Sequence, residues 1–226
     1  VTVSADGTLL VADRVRDRIQ RFSPDGVFQG AWGSSGTAFG QLLAPQGIAT
    51  FPDGSVAVSD AGNHRVQVFD ALGAAIRSWG GGGAGPGQFA YPAGLATGPD
   101  QTVYVVDRGN ARVQRFDPAG TFLGAWGSEG AGDGEFRQPQ GIAVTGEGTV
   151  YVADLRNSRV QRFDPSGAFR GAFGALGIDD GEFAWPTGVA VAPDGTVYVT
   201  DSGVPDGANN RVQRFDAGGA YLGRWG

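Results

Sequence analysis

One interval governs this chain: Pro45, Pro92, Pro139 and Pro186 stand 47 residues apart, and Asp13, Asp60, Asp107, Asp154 and Asp201 keep the same spacing. A period of this length marks a repeat architecture, because a small unit of strands and turns buries its apolar face only by stacking on copies of itself. A chain of 226 residues holds five such units.

The content of one unit decides what is stacked. Residues 141–174 offer four strand-like segments, "GIAV" (141–144), "TVYVAD" (149–154), "RVQRFD" (159–164) and "AFRGAFG" (168–174). Between them lie "TGEG", "LRNS" and "PSG", turn chemistry at hairpin length. No segment repeats apolar residues at helical spacing over a useful length, which speaks against helix. Each unit is therefore expected to be a four-stranded antiparallel sheet, and radial packing of roughly four to eight such sheets makes a β-propeller. Phe22, Phe69, Phe116, Phe163 and Phe215 recur on the third strand, and Trp32, Trp79, Trp126, Phe173 and Trp225 close the fourth. Aromatics at a fixed position are expected to pack blade against blade. The fold class that follows is all-β, one propeller domain over 1–226 with blades near 1–33, 47–80, 94–127, 141–174 and 188–226.

The order "P-x-G-[IVL]-A", "V-x-D", "N-x-R-V-Q-x-F-D" and "G-x-[FY]-L-x-x-W-G" resembles the NHL repeat, and the resemblance runs through all five units. It implies a six-bladed ring, so that five units without a closing connection read as a truncated ring; a true five-bladed ring is the other reading. The fifth unit departs from the spacing, since "SGVPDGANN" adds five residues before Arg211.

Charge and composition narrow the function classes. The formal charge is −6 and all 17 basic residues are arginine, whereas nucleic-acid binders carry a basic footprint. RNA or DNA is thus an unfavoured partner. No cysteine occurs, which removes disulfides and cysteine-ligated metals. No methionine occurs either, so the chain is expected to be a piece of a longer, bacterial product. No apolar run is long enough for a membrane helix. A resemblance to surface sensors and secreted propellers tilts the expected location outward.

The stretch "WGSEGAGDGEFRQPQG" at 126 could pass for a phosphate cradle or a calcium loop, but its pattern recurs at 32, 79 and 173. It reads as the crossing between blades. A P-loop needs Gly-Lys-[Ser/Thr], and the chain has no lysine. Calcium takes about six to eight oxygens, while Asp133 with Glu135, or Asp179 with Asp180 and Glu182, offer two or three carboxylates. No cofactor is expected, with calcium the one left open.

Each hairpin between the second and third strands is flanked by an Asp and an Arg: Asp13 and Arg18, Asp60 and Arg65, Asp107 and Arg112, Asp154 and Arg159, Asp201 and Arg211. A pair repeated in every unit is structural. Taken as exposed, each is worth only about 0–1 kcal/mol, so its role is expected to be fixing loop shape.

Inside these hairpins the residues vary: "RVRD" at 14, "AGNH" at 61, "RGNA" at 108 and "LRNS" at 155. Variable side chains on a constant scaffold are where binding specificity lies. The binding candidates are Arg14, Arg16, His64, Arg108 and Arg156 in these loops, with Asp206 and Asn209 in the fifth-unit insertion. Gln46, Tyr91, Gln138, Gln140, Trp185 and Thr187, around P-x-G, are expected near the mouth of a central channel. Tyr91 and Trp185 depart from Ala44 and Gln138 in their own column. His64 is the sole histidine, too few for the zinc sites of propeller lyases, and reads as a turn residue.

The expected function is a non-catalytic scaffold for a protein, peptide or glycan partner. Two readings stay beside it. One is a calcium-dependent hydrolase or lyase, like gluconolactonase-type propellers, with catalytic groups partly outside this chain. The other is an RNA-binding propeller using Arg14, Arg16, Arg108 and Arg156.

Overall fold

The computed structural model describes residues 1–203 and 209–226. They form five four-stranded antiparallel sheets whose strand order follows the chain, the blades of an all-β propeller. Blade 1 comprises Thr2–Val3, Leu9–Asp13, Arg18–Phe22 and Phe28–Trp32; blade 2 comprises Pro45–Thr50, Val56–Asp60, Arg65–Phe69 and Ala75–Gly80. Blade 3 follows with Pro92–Thr97, Val103–Asp107, Arg112–Phe116 and Phe122–Trp126. Blade 4 has Pro139–Val144, Val150–Asp154, Arg159–Phe163 and Phe169–Phe173, and blade 5 has Trp185–Val191, Val197–Ser202, Arg211–Phe215 and Tyr221–Trp225.

The first strands begin earlier than the apolar pattern suggests. Proline lacks a ladder donor and is tolerated at the start of a strand, so Pro139 pairs with Asp154 ahead of a register shift that leads to Ile142 opposite Val152. The glycine of P-x-G has a steric reason: a Cβ on Gly141 would stand 2.7 Å from the carbonyl oxygen of Thr187 in the next first strand. Second strands such as Val103–Asp107 and Val150–Asp154 are buried along their whole length. Fourth strands alternate half-buried with exposed positions, the pattern of a sheet with one wet face.

The sequence argued against helix, and the hairpins correct this on a small scale. Ala61–Asn63, Arg108–Asn110 and Leu155–Asn157 each make one turn of 3₁₀ helix. A single 3₁₀ turn needs no apolar periodicity, so nothing in the spacing announces it.

By contact the chain divides into two compact units, Val1–Asn110 with Gln114–Gly124, and Ala111–Val113 with Ala125–Gly226. In the first, Leu10, Ile19, Leu42, Ile48, Val56, Val58 and Phe69 form one core cluster, and Phe89, Leu95, Val103, Val105 and Phe116 belong to another. Trp32 meets Phe69 with ring centroids 6.4 Å apart, and Trp79 meets Phe116 at 5.8 Å. In the second unit Tyr151, Val160, Phe183, Val197, Val199 and Phe215 are clustered. There Trp126 meets Phe163 at 5.6 Å and Phe173 meets Phe215 at 4.8 Å. The two aromatic columns thus pack the end of one blade on the third strand of the next.

Candidate functional site

The hairpin face rests on a buried clamp, which corrects the expectation of exposed ion pairs. Asp60, Asp107 and Asp154 are fully buried and Asp201 nearly so. Arg65 Nε donates to Asp60 at 2.8 Å, Arg159 Nε to Asp154 at 3.0 Å and Arg211 Nε to Asp201 at 3.3 Å. The outer carboxylate oxygen of Asp60 also takes Asn63 Nδ2 at 2.9 Å and Gln67 Nε2 at 3.1 Å. Asp107 with Asn110 and Gln114, and Asp154 with Asn157 and Gln161, repeat this arrangement. The other oxygen reaches back to the crossing, accepting the backbone N–H of Leu43, Ala90, Arg137 and Ala184 in turn.

The crossing is held from its other side too. Gln67 accepts from Gly40 N at 2.9 Å and donates to Gln41 O at 2.6 Å, and Arg65 Nη2 donates to Ala38 O and Gln41 O at 2.8 Å each. Gln161 and Arg159 make the same four bonds to Gly134, Gly132 and Glu135. Burial raises the carboxyl of Asp201 above the ordinary range, against the pull of the Trp185 and Ala184 N–H groups and Arg211. A buried charge tied on every side is destabilising to disrupt and unsuited to chemistry. The asparagines and glutamines of this clamp were readable in "N-x-R-V-Q" but carry no signal of burial by themselves.

Asn209, expected on an exposed rim, belongs to the clamp instead. It is buried and donates to Gly177 O at 3.0 Å, as Asn63 does to Gly36 and Asn157 to Gly130. Asp206 lies outside the described residues.

Above the clamp, the loops meet the residue before P-x-G of the next blade. Asp17 accepts Ala44 N at 2.7 Å and His64 Nδ1 accepts Tyr91 N at 3.0 Å. Asp17, His64, Ala44 and Tyr91 all hold left-handed backbone, with φ between 48° and 56°. The His64 ring stands edge-on to Tyr91 with centroids 4.5 Å apart, and Tyr91 remains 59% exposed. His64 Nδ1 thus acts as the acceptor that ties its loop to the backbone of Tyr91.

In the second unit the loop of blade 4 carries a different set. Arg156 replaces a glycine: at Gly109 a Cβ would meet Ala90 Cβ at 2.8 Å. The backbone of Arg156 still donates to the crossing, at Arg137 O, 3.0 Å away. Its exposed guanidinium lies 5.2 Å from the Trp185 ring centroid, and Nε donates to Gln138 Oε1 at 3.4 Å. Three predicted residues, Gln138, Arg156 and Trp185, therefore come together as an amphipathic shelf.

The remaining candidates are spread out. Thr187 Oγ1 lies 3.0 Å from Thr200 Oγ1. Gln140 is half-buried, as is Gln46, whose Oε1 is enclosed without a partner among the described residues. Arg14 is exposed in the blade 1 loop beside Arg16, which is drawn to Asp13 at 3.7 Å. Arg108 sits half-buried in the blade 3 loop.

The acidic groups of the crossings serve their own loops. Glu135 Oε2 accepts Gly132 N at 2.8 Å and Glu182 Oε2 accepts Asp179 N at 3.1 Å. Neutral Gln41 and Gln88 take the corresponding bonds from Ala38 N and Gly85 N, so the charge is not needed there. Among the described residues no group of three His, Cys, Asp or Glu side chains is arranged to hold a metal ion.

The NHL repeat model matches residues 42–69, 89–116, 136–163 and 183–215, more than half of the chain. The chain belongs to the NHL-repeat family. Blade 1 lies outside the matched segments although it has the same four strands. No curated protein matches the chain in sequence. Among solved structures, an NHL chain of this kind is similar in fold to a streptogramin B lyase, with 16% identity, TM-score 0.71, and coverage of 99% of this chain and 66% of the other. Virginiamycin B lyase from Staphylococcus aureus gives 17% identity and TM-score 0.68 over 99% of this chain and 68% of that one. A gluconolactonase from Xanthomonas campestris gives 20% identity and TM-score 0.70 over 96% and 71%. The NHL chain thus spans about two thirds of the lyase structures, and likeness at these identities speaks for the fold alone.

Proposed function

We propose that this NHL propeller is a non-catalytic binding module that presents its variable hairpin loops to a protein, peptide or glycan partner. The observation that carries the reading is the shelf of Gln138, Arg156 and Trp185, where an exposed cation covers an indole on a clamped loop. Tyr91, held by His64 and largely exposed, supports it from the first unit. Rigid aromatic and arginine groups lose little freedom on binding and are the usual anchors of recognition. The whole-protein form in this reading is the six-bladed ring that the family resemblance implies.

The test is a screen of the purified chain on peptide and glycan arrays, followed by titration of the best probe. Trp185→Ala and Tyr91→Ala should each weaken binding about tenfold, near 1.4 kcal/mol, with the unfolding midpoint nearly unchanged. A collapse of the midpoint with either variant would make these aromatics core and sink the reading. The second reading, a calcium-dependent hydrolase or lyase, is favoured by the likeness to lyase and gluconolactonase folds. Turnover of a lactone probe that chelator abolishes would replace the first reading with this one.

A further inference from the structure

The hairpin loop of blade 4 differs from its neighbours in charge as well as in shape. Arg156 stands where blades 2 and 3 have Gly62 and Gly109, and the crossing residue whose carbonyl its backbone meets is Arg137, where the others have Leu43 and Ala90. Among blades 2, 3 and 4, only this one brings two arginines side by side. The clamp residues recur from blade to blade, so the scaffold does not require this pair.

Neither cation is neutralised within the fold. Both arginines are exposed. The Arg156 side chain donates from Nε to Gln138, and the Arg137 guanidinium has no hydrogen bond or ion pair among the described residues. By contrast Arg16, Arg170 and Arg224 each lie within 3.7 Å of an acid. The segments 137–138, 155–158 and 184–187 hold no acidic residue, and the acids beneath them, Asp154 and Asp201, are buried and paired with Arg159 and Arg211. A chain of net charge −6 therefore presents a positive spot here.

The backbone under that spot is pinned. Arg137 N donates to Asp154 at 2.7 Å, Arg156 N to Arg137 O at 3.0 Å, Ser158 Oγ to Ala184 O at 3.1 Å and Trp185 N to Asp201 at 3.0 Å. Little freedom is left to lose on binding.

We infer that Arg137 and Arg156, with Trp185 as floor, bind an acidic peptide segment of the partner, one carboxylate on each arginine. The inference rests on the loop-face reading above and names the chemistry of its partner. A guanidinium pairs with a planar carboxylate as a two-pronged fork, and Arg156, its Nε turned to Gln138, keeps both terminal nitrogens for that purpose. The indole and the Arg156 stem offer apolar surface to the residue between the two acids. RNA fits less well, since a phosphate backbone asks for a track of several cations.

The probe is the fluorescein-labelled peptide G-E-F-E-G, titrated with the 226-residue chain at low salt and followed by anisotropy. Saturable binding is expected, about fivefold weaker with Arg137→Gln or Arg156→Gln, the most that an exposed ion pair usually gives. With both substitutions it should be about 25-fold weaker, since separate contacts add. Only the backbones of these residues serve the crossing, so the variants should melt with the parent. Equal binding of G-Q-F-Q-G, no saturation by millimolar chain, or tighter Arg137-dependent binding of a single-stranded RNA overturns the proposal. A ligand weakened by Trp185→Ala but untouched by Arg137→Gln overturns the acidic partner and leaves the loop-face reading standing, whereas chelator-sensitive lactone turnover removes that reading itself.

Discussion

Asp154 accepts from Arg159, Asn157, Gln161 and the backbone of Arg137 while wholly shielded from water. Removing the carboxylate leaves buried donors unpaired, so Asp154→Ala is expected to cost about 3–5 kcal/mol in a denaturant titration. The reverse case is Trp79, whose indole nitrogen is buried with no acceptor among the described residues. Phe173 fills the same column against Phe215 with no N–H at all. Trp79→Phe should therefore stay within about 1.5 kcal/mol of the parent, whereas Trp79→Ala should lose about 3–5 kcal/mol; equal losses would mean the nitrogen matters. The columns of Asp, Arg and aromatic residues were legible because they recur in register. What the sequence withheld was burial: an Asp beside an Arg reads the same wet or dry, and only the arrival of the crossing from the preceding blade closes it off.

The crossings behave as elements although they contain little regular structure. Each folds back on itself through a parallel bridge, such as Glu129 with Phe136, and is tied down by side chains of the blade that follows. Glu135 and Glu182 cap the loop as Gln41 and Gln88 do elsewhere. Glu135→Gln is thus expected to leave the melting temperature within about a degree or two, a shift of less than about 0.5 kcal/mol, while Gln161→Ala, deep in the clamp, lowers it markedly. Differential scanning calorimetry of the two variants decides this. Glycine spacing announced these crossings. The three-residue 3₁₀ turns of the hairpins could not be read because one turn needs no apolar period, nor could the pairing of Arg156 with Trp185, since contact between residues 29 positions apart depends on where the next blade begins.

Across the whole molecule, acid sensitivity should come from the turns rather than from the buried clamp alone. The hydroxyl of Ser166, the N–H of Ala168 and Arg170 hold Asp164 well below the usual carboxylate range, and Ser4 with Thr8 holds Asp6 at about 2. A lowered native value means stability present above about pH 4 and lost as pH falls through the native value. The melting temperature of Asp164→Asn should then lie below that of the parent at pH 6 and converge on it toward pH 2; a constant gap would contradict the linkage. The five-blade count and the strand assignment were legible from the period, but the division into two compact units was not, because every unit of sequence looks alike. The fifth hairpin adds a last consequence. With five extra residues between Ser202 and Arg211, Asn209 and Arg211 still grip Gly177, Asp179 and Glu182. With Asp201 tied to the N–H groups of Ala184 and Trp185 on the other side, both ends of the insertion are fixed points, so a loop of another length or chemistry grafted between them is expected to leave the rest of the fold in place.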